Sequence, residues 1–585
     1  MGKRQTDNSG EASSPEKKKK LLDKPNSKTT FKSKNITDKK PDWMKFKEKK
    51  KELKVERKKQ RCLYTTGLHA KQLWEKYRQK VCEASVKVEL GNKLHSLLKG
   101  HYQQAVLSHD LGRIIQWLIK QGNIEIQQDI AKELHSNYVE ICKSKYGSYT
   151  VRKLLKSGIR KIKNEIIGSL MGHIVKLMSH KIAAPVVSDS YELYSNAVQR
   201  CCLKQEFYGD MFRLSKDHNV KNLKMALDPC ENLKKAILGS TKANLMKVIS
   251  KNLVNSALVN DVIAEFIPLC EEVDRTDIIS AIKGFLPQMV KTKEGAKVGR
   301  VCLWYGMQKE RKVLVKCLKG SVSEIAMSEH GSSVLMAMFD CVDDTVLVQK
   351  AILTEIVSNI LEIAKNKNGR KVVLYLVAPR DPLYFHPSIV QLLSEGDSNP
   401  YSKKLSDLRR KELLDYILNP LLLSVAENID EWVADNSIAL VTLAILKAGT
   451  GENAKAAFSA LTKYVCSNGI ADETESESCS VVESPGLHFL IKKLILFDKS
   501  RCEGNEGSFS EVFVNVLDIS AVNQLIQSNR GCFLLVMLLE SDIEQCVKTV
   551  KSLMTEDVRK TLKKKSFKGS EILQMKLEDR IAAEA

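Results

Sequence analysis

From about residue 90 onward, apolar residues recur at three- and four-residue spacing, in segments broken by short polar loops. This pattern predicts helices along the whole folded body, and convincing period-two alternation, the mark of strands, is absent. The sharpest instance runs from Lys145 to Leu155. Val151, Leu154 and Leu155 fall on one stripe and are predicted to be buried. Ser148 and Arg152, at i and i+4, are predicted on the opposite face with Tyr149 beside them. A glycine, Gly147, stands just before the run. An aromatic ring can stack on a base, and a guanidinium can bind a base edge or a phosphate.

The same loop-to-helix signal returns along the chain. It aligns at Leu111, Gly147 and Ile182, again at Gly295, Gly331 and Gly369, and more loosely at Ser437, Gly486, Gly531 and Gly569. The clear spacings are 35 to 38 residues. The interval from Ile182 to Gly295 is 113 residues, three such periods, which predicts two weaker repeats inside it. An all-helical repeat near 36 residues predicts an α-solenoid, in which each unit buries its apolar face only against its neighbours. Each clear unit reads as a longer amphipathic helix (Ile126–Lys143, Val348–Ala364), a Lys/Asn/His-rich loop with glycine, then a shorter helix with the polar triplet. Trp117 and Trp304 follow the triplets and are expected to pack between repeats. A helix over Leu68–Lys87 is expected to lead into the body.

Charge changes the picture along the chain. The formal net charge is +23, which points to a polyanionic partner. Residues 1–61 hold 22 basic and 9 acidic residues and few apolar ones, so they are expected to be a disordered tail. Its clusters Lys17, Lys18, Lys19, Lys20, then Lys49, Lys50, Lys51, then Arg57, Lys58, Lys59 read as nuclear or nucleolar targeting signals. Residues 62–378 are expected to be basic N-terminal repeats. Residues 379–411 are an irregular, proline-bearing insertion. Residues 412–585 are C-terminal repeats, largely acidic: 401–550 carry 14 basic against 21 acidic residues, so this segment should not attract polyanions. Residues 467–485 are Ser/Glu-rich and read as a mobile loop. Fifteen scattered cysteines without C-x-x-C spacing fit reduced thiols in an intracellular protein. No apolar run reaches membrane-spanning length, so no membrane partner is expected.

Period and triplet position resemble the pumilio, or PUF, repeat family, where a repeat presents two or three side chains to one RNA base. On the matching positions, Gly112, Arg113 and Gln116 form a usable set with Arg113 stacking, and Ser148, Tyr149 and Arg152 form another. Ala183, Ala184 and Val187 carry no hydrogen-bonding group. Ala296, Lys297 and Arg300 suit phosphate. Ser332, Ser333 and Met336, and Arg370, Lys371 and Leu374, depart from the pattern. Leu487, His488 and Ile491, and Cys532, Phe533 and Val536, are largely apolar. Base discrimination needs paired donors and acceptors, each pair being worth about 1–3 kcal/mol. Most units lack them, which leaves a backbone-gripping track of Arg113, Gln116, Tyr149, Arg152, Lys153, Lys297, Arg300, Arg370 and Lys371 with little sequence preference.

The chain as a whole is similar to the Puf-A subfamily. The basic tail, the Ala378-Pro379-Arg380-Asp381-Pro382 segment followed by Tyr384-Phe385-His386-Pro387, and a CPL-type C-terminal region carry that resemblance. It implies a bent array of about eleven pumilio-type repeats, binding of RNA and DNA without strong sequence specificity, residence mainly in the nucleolus with nucleoplasmic and chromatin pools, and a part in pre-rRNA processing and large-subunit assembly beside pre-ribosomal proteins. It also implies association with a poly(ADP-ribose) polymerase. The rival reading is a nuclear protein-interaction scaffold. No phosphate loop, dinucleotide fingerprint, zinc motif or nucleophile–base set is present, so neither an enzyme nor a cofactor is expected.

Overall fold

The computed structural model describes residues 47–53, 63–79, 83–121, 123–228, 231–467, 481–503, 507–541 and 543–582. Residues 47–53 are helical and carry Lys49, Lys50 and Lys51. Lys17 to Lys20, Arg57, Lys58 and Lys59 lie outside the described residues, as does most of the acidic loop, at 468–480. The expected lead-in helix is two helices, Tyr64–Arg78 and Ala84–Leu98.

Residues 66–585 form a unit of their own, and its backbone is one row of helices. In chain order these are α1 (His109–Gln121), α2 (Gly147–Ser157), α3 (Ala184–Asp189, prolonged by a π turn to Tyr194), α4 (Ala257–Phe266), α5 (Lys293–Tyr305), α6 (Gly331–Cys341), α7 (Gly369–Val377), α8 (Asn436–Ala448), α9 (Pro485–Glu503), α10 (Asn529–Leu539) and α11 (Lys568–Ala582). Each packs on the next, with the remaining helices as an outer layer. That is an α-solenoid with eleven inner helices among the described residues, and every repeat signal read from the sequence lies in or within two residues of the first turn of one. Between Ile182 and Gly295 only α4 is a full inner helix. The second repeat expected there is reduced to the five-residue helix Leu223–Leu227 beside it.

The glycine signal comes from crowding. A Cβ at Gly147, Gly295, Gly331, Gly369 or Gly531 would collide with the backbone carbonyl oxygen six residues earlier, on Ile141, Met289, Ile325, Ile363 and Leu525. The inner helix crosses the preceding helix there at a distance only glycine permits. Three residues before the signal, a short polar side chain caps the first turn. Ser108, Ser144, Thr292, Ser328, Asn366 and Ser528 accept from Leu111, Gly147, Gly295, Gly331, Gly369 and Gly531 N at 3.0–3.3 Å.

The long first helix expected in each unit is bent. Ile124–Leu134 gives way to Tyr138–Lys143 through Asn137, and Thr354–Ser358 to Ile360–Lys365 through Asn359. The apolar stripe continues across the bend, so periodicity cannot register it. Glycines at φ 84°, 87° and 82° (Gly100, Gly172, Gly320) open equivalent short turns. Their N–H groups donate to Glu133, Glu206 and Glu355 of the next repeat at 2.9, 2.6 and 2.8 Å, which pins neighbouring units.

Residues 379–405 form an ordered strap, and the helix Ser406–Glu427 begins inside the stretch expected to be irregular. Arg380 holds Asp340 and Asp397 at 2.6 Å. Arg311 donates to the carbonyls of Leu303, Trp304 and Cys341, and to Asn399 and Ser402 of the strap. Arg275 donates to the Tyr305 carbonyl and to Tyr401, both at 3.0 Å. Carbonyls at helix C-termini lack intrahelical partners and carry the negative end of the helix dipole. The two buried guanidiniums satisfy those of α5 and α6 and tie the strap across them.

Candidate nucleic-acid interface

Exposed polar stripes run along α1 and α2. On α1, Arg113, Gln116 and Lys120 follow one another at three- and four-residue steps, with Arg113 and Lys120 exposed and Gln116 half-buried. On α2, Tyr149 is 56% exposed, and Arg152, Lys153 and Lys156 continue its face. Ser148 does not stand on that face. It is buried, and its hydroxyl donates to Lys145 O at 3.4 Å, because the residue after the crowded glycine points into the helix crossing.

Lys120, Lys153 and Lys156 form the electrostatic centre. Lys153 is held below the ordinary lysine range, first by its burial and then by Lys120 and Lys156. None of the three makes an ion pair among the described residues. A bound phosphate relieves such crowding of like charge. Lys120 and Lys156 escaped the sequence reading; the i, i+3, i+7 run from Arg113 was the signal that marks Lys120.

The arginines are placed differently from expectation. Arg152 is exposed, but its Nε donates to Asp189 of α3 at 2.7 Å. Arg300 is 8% exposed, its Nη1 donates to Ser333 of α6 at 2.7 Å, and burial lowers its pKa. It is therefore not presented to a phosphate. Arg370 folds back on Ala364 O and Lys365 O, both at 3.2 Å, with Asp435 of the next repeat at 3.8 Å. Arginine is the group suited to bidentate base contacts, and here Arg152 through Nε and Arg300 through Nη1 join inner helices to one another, while Arg370 closes a helix end. Lys297 remains exposed on α5 and Lys371 half-buried on α7.

The track is also interrupted. α4 contributes Asp261, which accepts from Tyr191 at 2.6 Å, and Glu265, which holds Lys204 at 2.5 Å and Tyr208 at 2.7 Å. Cations thus gather on α1–α2 and, separately, at Lys293 and Lys297, not on one continuous seat. Beyond Lys297 the face of α5 is closed: Trp304 is buried against Gly396 of the strap. Among the described residues no group of three His, Cys, Asp or Glu could hold a metal ion, and no helix is long and apolar enough to cross a membrane.

Comparison with known proteins places this geometry. The CPL (NUC119) domain family matches residues 365–507, which takes in the strap. Pumilio homolog 3 of Homo sapiens is 34% identical over 574 residues, covering 96% of this chain and 88% of that protein. Pumilio homolog 3 of Rattus norvegicus is 35% identical, over 89% and 81%. The crystal structure of human Puf-A superposes with a TM-score of 0.78 at 33% identity, covering 88% of this chain and 100% of that one. A second structure, human Puf-A in complex with DNA, gives the same TM-score over 88% and 99%.

Proposed function

The chain belongs to the Pumilio homolog 3 (Puf-A) family of pumilio-homology proteins, and from that premise we propose that it binds RNA and DNA through the phosphate backbone. The observation that carries this reading is the split between the cations. Lys120, Lys153 and Lys156 stay open and crowd one another, with Arg113 the one exposed arginine of the expected track left without an ion pair among the described residues, while Arg152, Arg300 and Arg370 are engaged within the protein. Lysine is a point charge that grips phosphate and lacks the planar fork that makes arginine a precise reader of base edges. Tyr149 adds a stacking surface that tolerates any base. The structure of human Puf-A with DNA supports a nucleic-acid ligand.

The protein acts without enzymatic chemistry, in the nucleus and mainly the nucleolus, in pre-rRNA processing and assembly of the large ribosomal subunit. Pre-ribosomal proteins and a poly(ADP-ribose) polymerase are its protein partners. These points rest on family resemblance.

The test is anisotropy titration of the full chain with unrelated single-stranded RNA and duplex DNA oligomers, from about 50 to 300 mM salt. Log K falls linearly with log salt for every ligand, and K120E/K153E weakens all of them together. A flat plot, or a strong preference for one sequence, overturns the reading.

A further inference from the structure

The negative balance of residues 401–550 hides a basic face. Some of its acids are spent elsewhere: Glu431 pairs with Lys365 at 2.5 Å, Asp435 lies 3.8 Å from Arg370, and Asp498 is buried as a cap on Phe509 and Ser510. On α9, Phe489 (39% exposed), Lys492, Lys493 and Leu496 (60% exposed) follow one another along one stripe. Lys493 Nζ lies 5.6 Å from the Phe489 ring centre. Lys447, from α8, lies 5.0 Å from that of Phe497.

A similar grouping stands on α1 and α2, with its aromatic residue one place earlier relative to the starting glycine: Tyr149 after Gly147, Phe489 after Gly486. Lys120 and Lys447 are each the penultimate residue of a 13-residue inner helix. On the next inner helix an aromatic residue precedes a lysine by four: Tyr149 and Lys153, Phe489 and Lys493. Burial and then Lys493 hold Lys447 below the ordinary lysine range, although Asp381 opposes this.

We propose that α8 and α9 form a second site for single-stranded nucleic acid, with a base stacked on Phe489 and flanking phosphates held by Lys492 and Lys493. An aromatic ring set among lysines suits a ligand that alternates flat bases with anions. A duplex keeps its bases stacked inside and offers only the phosphates. The ligand class follows from the reading of α1–α2, but the two sites share no residue and fail independently.

The experiment titrates labelled oligouridine and a duplex DNA of equal length into the full chain and its variants F489A, K492E and K120E/K153E. F489A weakens oligouridine by about fivefold or more and leaves the duplex within about twofold. K492E lowers the salt slope on oligouridine by about 0.7, the share of one phosphate contact on a single strand. Lys492 is exposed, so its reversal leaves the fold intact, and the melting temperature of each variant checks this. A 4-thiouridine oligomer crosslinks to the α9 peptide. If F489A and K492E bind oligouridine as the parent does while K120E/K153E does not, the second site is overturned and the first stands. If K120E/K153E is without effect while F489A weakens binding, the α1–α2 reading falls and the second site stands. If F489A and K492E lose only a polyglutamate peptide, the face is a protein site and the proposal is overturned.

Discussion

At the scale of single residues, backbone crowding and like charge set what each position tolerates. Gly331 sits against the Ile325 carbonyl and the Ser328 hydroxyl, so Gly331→Ala overpacks a helix crossing. Urea unfolding is expected to show a loss of about 1–3 kcal/mol. Gly168, exposed in the helix Arg160–Leu170, behaves oppositely, because a Cβ there would meet nothing within 4 Å. Gly168→Ala raises stability by about 0.5–1 kcal/mol, since only the helix propensity changes. Lys153 gives a pH prediction. A polyanion binds its charged form, and its pKa is lowered, so the charge is lost earlier than in an ordinary lysine as pH rises. Affinity for RNA therefore begins to fall at a lower pH in the parent than in K153R, which titrations across the alkaline range will show.

At the scale of elements, the outer helices hold the ends of the inner ones. Gln127 donates to Ile119 O at 2.8 Å, Arg275 to Ile267 O at 3.2 Å and Arg311 to Leu303 O at 2.8 Å, each reaching back eight residues. Arg311 also anchors the strap, so its loss strands several buried acceptors at once. Arg311→Met is expected to cost about 3 kcal/mol or more. Hydrogen exchange will locate the damage: amides in the last turns of α5 and α6 and in residues 396–403 exchange faster, while those of α1 and α2 do not change. The helices and their starting glycines were legible in the sequence because the 36-residue recurrence reports them directly. The bends at Asn137 and Asn359 were not, because the buried stripe passes through them unbroken. Nor was the strap, whose prolines and polar residues look irregular until Arg275 and Arg311, far away in the chain, supply its partners.

At the scale of the molecule, cations fall into groups separated by the carboxylates of α3 and α4. K120E/K153E on one side and K297E on the other share no partner, so their effects on binding free energy add within about 0.5 kcal/mol in a double-variant comparison. Marked non-additivity would mean one continuous track after all. Of the residues expected to form that track, Arg113, Tyr149, Lys153 and Lys297 are open to solvent or nearly so, whereas Arg300 and Arg370 are turned inward. A one-dimensional reading assigns the same helical face to both sets. It cannot see Ser333 or Asp435 arriving from the next repeat to claim them.

What the chain order alone determined is the repeating unit: helical period, glycine at the crossing, and a basic first half, all local properties written within about one repeat length. Which cations stay available was decided only by tertiary packing. A long side chain on an inner helix reaches its neighbour as easily as a ligand, and the choice depends on what the adjacent repeat presents. The same packing uncovered a basic face on α8 and α9 inside a segment of negative net charge, because net charge sums over all faces of a helix and a ligand meets only one.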